Sequence, residues 1–99
     1  MTIEHALLHI KPGQKEAFAT TMESAKSIIA SIPGFIDLTV SRGIESPGTF
    51  LLIVHWESLE AHTVGFRESP QYQEWKHLLH HFYDPFPVVE HFDPVVTAP

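Results

Sequence analysis

A chain of 99 residues with 6 Lys plus Arg against 12 Asp plus Glu carries a net charge of −6 with its eight histidines neutral. That balance argues against a nucleic acid or an anionic membrane as partner, since both repel an acidic surface. The absence of cysteine removes disulfides, thiolate nucleophiles, iron–sulfur clusters and cysteine zinc sites together.

The length fits one domain, residues 1–99, whose limited burial makes added stability from an oligomer reasonable. The start, MTIEHALLHIKPG, has neither a basic n-region nor an unbroken apolar stretch, and no apolar run approaches the roughly 20 residues of a membrane helix. The expectation is a cytoplasmic protein with no membrane partner. No GxGxxG, phosphate loop or GxSxG elbow is present, which argues against nucleotide-dependent enzymes and common covalent hydrolases.

In chain order, Thr2 to Lys11 alternates, with Ile3, His5, Leu7 and His9 on one side and Glu4, Ala6, Leu8 and Ile10 on the other. Pro12-Gly13 breaks this first strand. Gln14 to Ile32 has helical spacing through Phe18, Met22, Ala25, Ile29 and Ile32, and Pro33-Gly34 stops it. Phe35 to Ile44 reads as a strand ending in the turn Glu45-Ser46-Pro47-Gly48, and Thr49 to Glu57 as the strongest strand of the chain. Leu59 to Val64 is a short helical segment interrupted at Gly65, which also suits a C-cap. A second helix begins at Ser69, a capping residue followed by Pro70 at the first helical position. Its Tyr72, Trp75, Leu79 and Phe82 share one face. Asp84-Pro85-Phe86-Pro87 forms an extended connector, and Val88 to Val96 a last strand.

The order β-α-β-β-α-β predicts an α+β, ferredoxin-like fold, a four-stranded antiparallel sheet with helices on one face. The strands nevertheless offer apolar side chains to both faces: Phe50, Leu52, Val54 and Trp56 alternate with Leu51, Ile53 and His55. Two helices cover one face only, so a homodimer joined through the other sheet face is expected. Which face His55 and Trp56 each take stays open. The aromatic and imidazole groups around the broken helix, 60–83, are suited to wall a small-molecule pocket. Plain core packing is the competing reading for Tyr72, Trp75, Leu79 and Phe82, as solvent exposure is for the helical pair His77 and His81. No closed set of metal ligands emerges.

The stretches EHALLHIKPG, IPGF, ESPGTFLLIVHWES, HTVGFRESPQYQEW and HHFYDPFPVVEHF resemble the antibiotic biosynthesis monooxygenase family of the dimeric α+β barrel superfamily. The resemblance runs from about Ile3 to Val95. It implies a pocket between helices and sheet in each subunit of a dimer, and oxidation of small aromatic or quinol-type substrates by O₂ with no metal or flavin cofactor. The substrate, once deprotonated, supplies the electrons. Under that reading His5 and His62 are candidate bases, Arg67 stabilises a developing phenolate, and Phe66, Tyr72, Trp75 and His91 line the pocket. Two alternatives accompany it. One is a non-catalytic small-molecule-binding or stress-response module of the same fold. The other is a haem-binding or haem-degrading protein, for which the family pattern of asparagine, tryptophan and histidine meets His5, Phe66 and Lys76 or His77 here, a departure at two or more positions.

Overall fold

The computed structural model describes residues 1–99. Strand β1 (Thr2–His9) leads into helix α1 (Lys15–Ala30), then β2 (Phe35–Arg42) and β3 (Thr49–Trp56). A π-helical turn (Ala61–Phe66), helix α2 (Pro70–Leu79), a single 3-10 turn (His80–Phe82) and the short strand β4 (Val89–Phe92) complete it. The sheet is antiparallel and open, in the order β2-β3-β1-β4, with both helices on one face.

Alternation in β1 and β3 decides what faces the helices. Ala6, Leu8, Phe50, Leu52, Val54 and Trp56 are buried beneath Phe18, Met22, Ala25 and Ile29 of α1 and Trp75 and Leu79 of α2. The helical spacing expected for α1 is thus the face that packs, each large side chain contributing roughly 1.5–3 kcal/mol on burial. Trp56 points towards the helices and His55 to the opposite face, where it pairs with Asp37 of β2. The same outer face carries Ile3, His5, Leu7, Leu51 and Ile53, with Leu7 and Phe92 about half exposed.

Three expectations are corrected. The helical segment does not stop at Gly65. It runs through it as a π-turn, closed by the Arg67 amide on the His62 carbonyl (3.1 Å), and the interruption falls at Arg67–Ser69. The backbone of Gly65 is not left-handed, so it is no αL cap. Strand β4 pairs only over Val89–Phe92, not to Val96, because Pro94 has no amide to continue the ladder. Helix α1 ends at Ala30, two residues before Ile32, in the turn that Pro33-Gly34 closes. By contrast Ser69 caps α2 as its sequence indicates: its Oγ accepts from the Tyr72 amide (3.2 Å) and donates to the Phe66 carbonyl (2.6 Å).

Gly34 admits no side chain. Its φ is +91°, and a Cβ there would lie 2.6 Å from the Ala61 Cβ at the start of the π-turn. The left-handed backbone costs an alanine ~1–2 kcal/mol and the overlap adds ~1–3 kcal/mol. Gly34→Ala is therefore expected to lose at least about 2 kcal/mol, read as a lower urea midpoint at unchanged slope. Adding Ala61→Gly should return the steric share and leave the backbone share; a Gly34→Ala protein as stable as the parent contradicts the close approach.

Candidate functional site

Between the inner sheet face and the helices lies a cavity of about 350 Å³, within the ordinary range for small-molecule sites of about 300–1,000 Å³. It exists because Ala6, at the centre of β1, is small where its neighbours are large. The floor is Glu4, Ala6 and Leu52; the π-turn supplies His62, Phe66 and the following Arg67; α2 supplies Tyr72 and Trp75. Tyr83, Phe86 and Pro87 bring the connector after α2 across one side.

Phe66 anchors the aromatic wall. Tyr72 and Trp75 meet it edge to face at 5.2 and 5.7 Å, and Trp56 lies behind it at 6.0 Å. Edge-to-face pairs contribute about 0.5–1.5 kcal/mol each beyond burial, so the wall is held firmly. The π-turn turns both His62 and Phe66 inward, and each is buried. Pairing α2 to the π-turn through Ser69 fixes Tyr72 one turn further on.

The polar end of the cavity is built on Glu4, 5% exposed on an otherwise apolar strand face. The Trp56 indole N–H donates to its Oε1 at 3.0 Å, and His62 Nε2 stands 3.3 Å from the same oxygen. On the other side of that imidazole, Nδ1 is 2.8 Å from His91 Nε2, one nitrogen donating and the other accepting. His91 reaches this position because it lies opposite Glu4 in the β1–β4 ladder. Trp56 stacks on the His62 ring at 5.3 Å and 20°, fixing its plane. Glu4, His62 and His91 thus form a row running from the cavity floor to the edge strand.

Burial sets the charges. It pushes the Glu4 carboxyl above the usual carboxylate range, against the pull of the Trp56 hydrogen bond and the Arg67 charge. It also lowers His62 to about 3, helped by the positive charges of Arg67 and His91. His62 and Glu4 are therefore not an ion pair despite their separation: the imidazole is neutral at physiological pH. His91 is lowered in the same sense, first by burial and then by Arg67, and His80 by burial and Lys76. Burial pushes the Tyr83 phenol up, so it keeps its proton. Arg67 is exposed at the rim and forms no ion pair.

Of the residues singled out from the sequence, the structure gathers His62, Phe66, Arg67, Tyr72 and Trp75 around the cavity and sets His91 behind His62. His5 is not among them. It lies on the outer face of β1, packed edge-on to Phe92 at 5.7 Å, with the sheet between it and the cavity, as strict alternation with Glu4 requires. Its Nδ1 is buried without a hydrogen-bond partner. His77 and His81 are exposed, and no group of three or more His, Asp or Glu side chains converges as metal ligands. The residue that sequence reasoning passed over is Glu4, whose signal was a carboxylate at an inward position between apolar neighbours.

The neutral state of His62 has a consequence for stability. In the folded chain it resists protonation down to about pH 3, whereas its ordinary value is 6.5. Below 6.5 the unfolded chain binds the extra proton, so this group lowers stability as pH falls from 6.5 towards 3, by at most about 1.4 kcal/mol per pH unit. Glu4 acts with opposite sign, because its raised value lets the folded chain bind a proton first. Comparison with His62→Gln isolates the histidine: between pH 7 and 5 the parent should lose about 2 kcal/mol more than the variant in urea unfolding. Parallel pH curves for the two proteins would refute a buried neutral imidazole.

Residues 1–78 match the family described as antibiotic biosynthesis monooxygenase. A Bacillus subtilis (strain 168) protein, the uncharacterized protein YczJ, is 50% identical over 95 residues, covering 96% of this chain and all of the relative. A putative antibiotic biosynthesis monooxygenase from Bordetella bronchiseptica superposes with a TM-score of 0.91 at 29% identity, covering 96% of this chain and 97% of its own. SnoaB, a cofactor-independent oxygenase from Streptomyces nogalater solved as a point mutant, superposes with a TM-score of 0.85 over 99% of this chain and 96% of its own; at 16% identity it speaks for the fold alone. By sequence match and by architecture, this chain belongs to the antibiotic biosynthesis monooxygenase family.

Proposed function

We propose that this protein oxidises a flat phenol or quinol with O₂, using no resident metal or flavin. The observation that carries the reading is a buried carboxyl at the cavity floor, set beside a neutral imidazole and under a wall of Phe66, Tyr72 and Trp75. A carboxyl raised by burial takes a proton more readily than one in water, and loses it again without a deep trap. Removal of an acidic C–H or O–H proton yields an electron-rich anion, which Arg67 at the rim stabilises by charge. The anion transfers electrons to O₂ and a carbon–oxygen bond forms. For an anthrone, the keto tautomer of such a phenol, the peroxide takes up a proton, then loses its remaining C–H proton and hydroxide, which combine as water, so that CH₂ plus O₂ becomes C=O plus H₂O. The substrate is the reductant throughout. The likeness to an oxygenase described as cofactor-independent supports the reading without identifying a substrate.

The haem alternative is poorly served by the geometry. Of the positions it invokes, only Phe66 lines the cavity; His5 lies across the sheet, and Lys76 and His77 face solvent. A dimer remains part of the proposal. Ile3, Leu7, Leu51, Ile53 and Phe92 form an apolar outer sheet face that neither helix covers, and a second copy would bury it.

Oxygen consumption with an anthrone in chelator-treated, flavin-free buffer tests the chemistry. Turnover is expected, and Glu4→Gln should lower kcat by about 100-fold or more with the fold intact. A requirement for added metal or flavin overturns the reading, and so does binding of the anthrone with no oxygen consumed. For the assembly, light scattering should return twice the 11.2 kDa chain mass. Ile53→Glu should return the single-chain mass, because a charge there would be buried without a partner; a parent protein monomeric at micromolar concentration refutes the dimer.

A further inference from the structure

From the row of groups behind the cavity we infer that His62 and His91 are a proton relay, connecting Glu4 to solvent at the edge strand while a ligand fills the cavity. This rests on the proposed proton abstraction by Glu4 and names two residues that serve it without acting on the substrate itself.

Three geometric facts support the inference. The contacts are in series: Glu4 Oε1 to His62 Nε2 is 3.3 Å, and His62 Nδ1 to His91 Nε2 is 2.8 Å. Each imidazole uses one nitrogen inward and the other outward, the arrangement in which a ring passes a proton through rather than stores it. The row is also fixed in orientation. Trp56 holds the Glu4 oxygen with its N–H and covers the His62 ring with its face, while the ladder partner of Glu4 supplies His91. Finally, the row ends at the rim of the sheet. Strand β4 is the edge of the sheet and His91 is part-exposed, so its free Nδ1 can meet water.

The groups facing the row are few. Arg67 is the one cation whose field reaches all of Glu4, His62 and His91, and it disfavours a standing imidazolium at either ring. Transfer is therefore concerted. The bond from Glu4 oxygen to hydrogen breaks as His62 Nε2–H forms, His62 Nδ1–H breaks as His91 Nε2–H forms, and His91 Nδ1–H passes its proton to water. No charge is left on either ring, and both end in the other neutral tautomer. When the reduced oxygen later takes up a proton, the same shift in reverse restores the starting tautomers.

The test uses His91→Ala and His91→Phe with two readouts. The first is steady-state oxygen consumption with an anthrone. The second is stopped-flow absorbance of bound alizarin after a pH jump, which reports ionisation of a phenol in the cavity and needs no turnover. Ionisation of bound alizarin should slow about tenfold or more in both variants, with its affinity changed less than twofold. Added imidazole should restore the rate in His91→Ala, in proportion to its free-base fraction, and fail in His91→Phe, where a ring without nitrogen fills the space. A relay is overturned if both variants ionise alizarin at the parent rate, if imidazole restores neither, or if the parent does not bind alizarin. Slowed ionisation rescued by imidazole, in a parent that consumes no oxygen, would uphold the relay and refute the oxygenase reading alone.

Discussion

A carboxyl group taken out of water must be given donors or lose its charge, and Glu4 imposes that requirement on half of the molecule. An unpaired buried charge costs several kcal/mol, comparable with the whole stability of a domain this size. The chain meets the demand with an indole N–H from the last residue of β3 and an imidazole from the π-turn. Both partners come from well beyond the first strand, so the site closes only when β1, β3 and the turn are all in place.

The π-turn is the device that makes this geometry available. Its wider turn, set by the bond from the Arg67 amide to the His62 carbonyl, directs His62 and Phe66 inward and leaves Val64 and Gly65 outside. Its start presses on Gly34, the one place where a left-handed backbone and a close neighbour coincide. Trp56, stacked on His62 from behind, holds the turn in this position. Ser69 then joins turn to helix by accepting at one side and donating at the other.

How much of this is legible in the sequence depends on whether the information is local. The cap at Ser69, the face of α1 and the face of α2 follow from spacings within one element, and the chain folds as they indicate. Gly65 misleads because a glycine in a helical stretch reads as a stop, whereas a π-turn absorbs it without a change of hand. The valines of β4 suggest a longer strand than forms, although Pro94 is there to end it. The site itself is half legible. Alternation in β1 already puts Glu4 and His5 on opposite faces, and a preference for imidazole chemistry favours His5, which faces away from the cavity. The row Glu4–His62–His91 spans three elements, with His62 and His91 29 positions apart, and no short pattern encodes it.

The division of labour within β1 follows from a period of two. Its even positions Glu4, Ala6 and Leu8 supply the carboxyl, the empty space and the packing of the cavity; its odd positions, Ile3, His5, Leu7 and His9, alternate apolar side chains with imidazoles on the outer face. The cavity and the outer face can therefore vary independently on a single strand, since a substitution at an odd position leaves the cavity untouched and one at an even position leaves the outer face unchanged. The constraint that survives is register, because a slip by one residue would carry the carboxyl to the outer face and His5 to the cavity. The ladder with β3 fixes that register along the whole of β1, from Thr2 opposite Trp56 to His9 opposite Thr49, and so sets Trp56 and Glu4 within reach of each other.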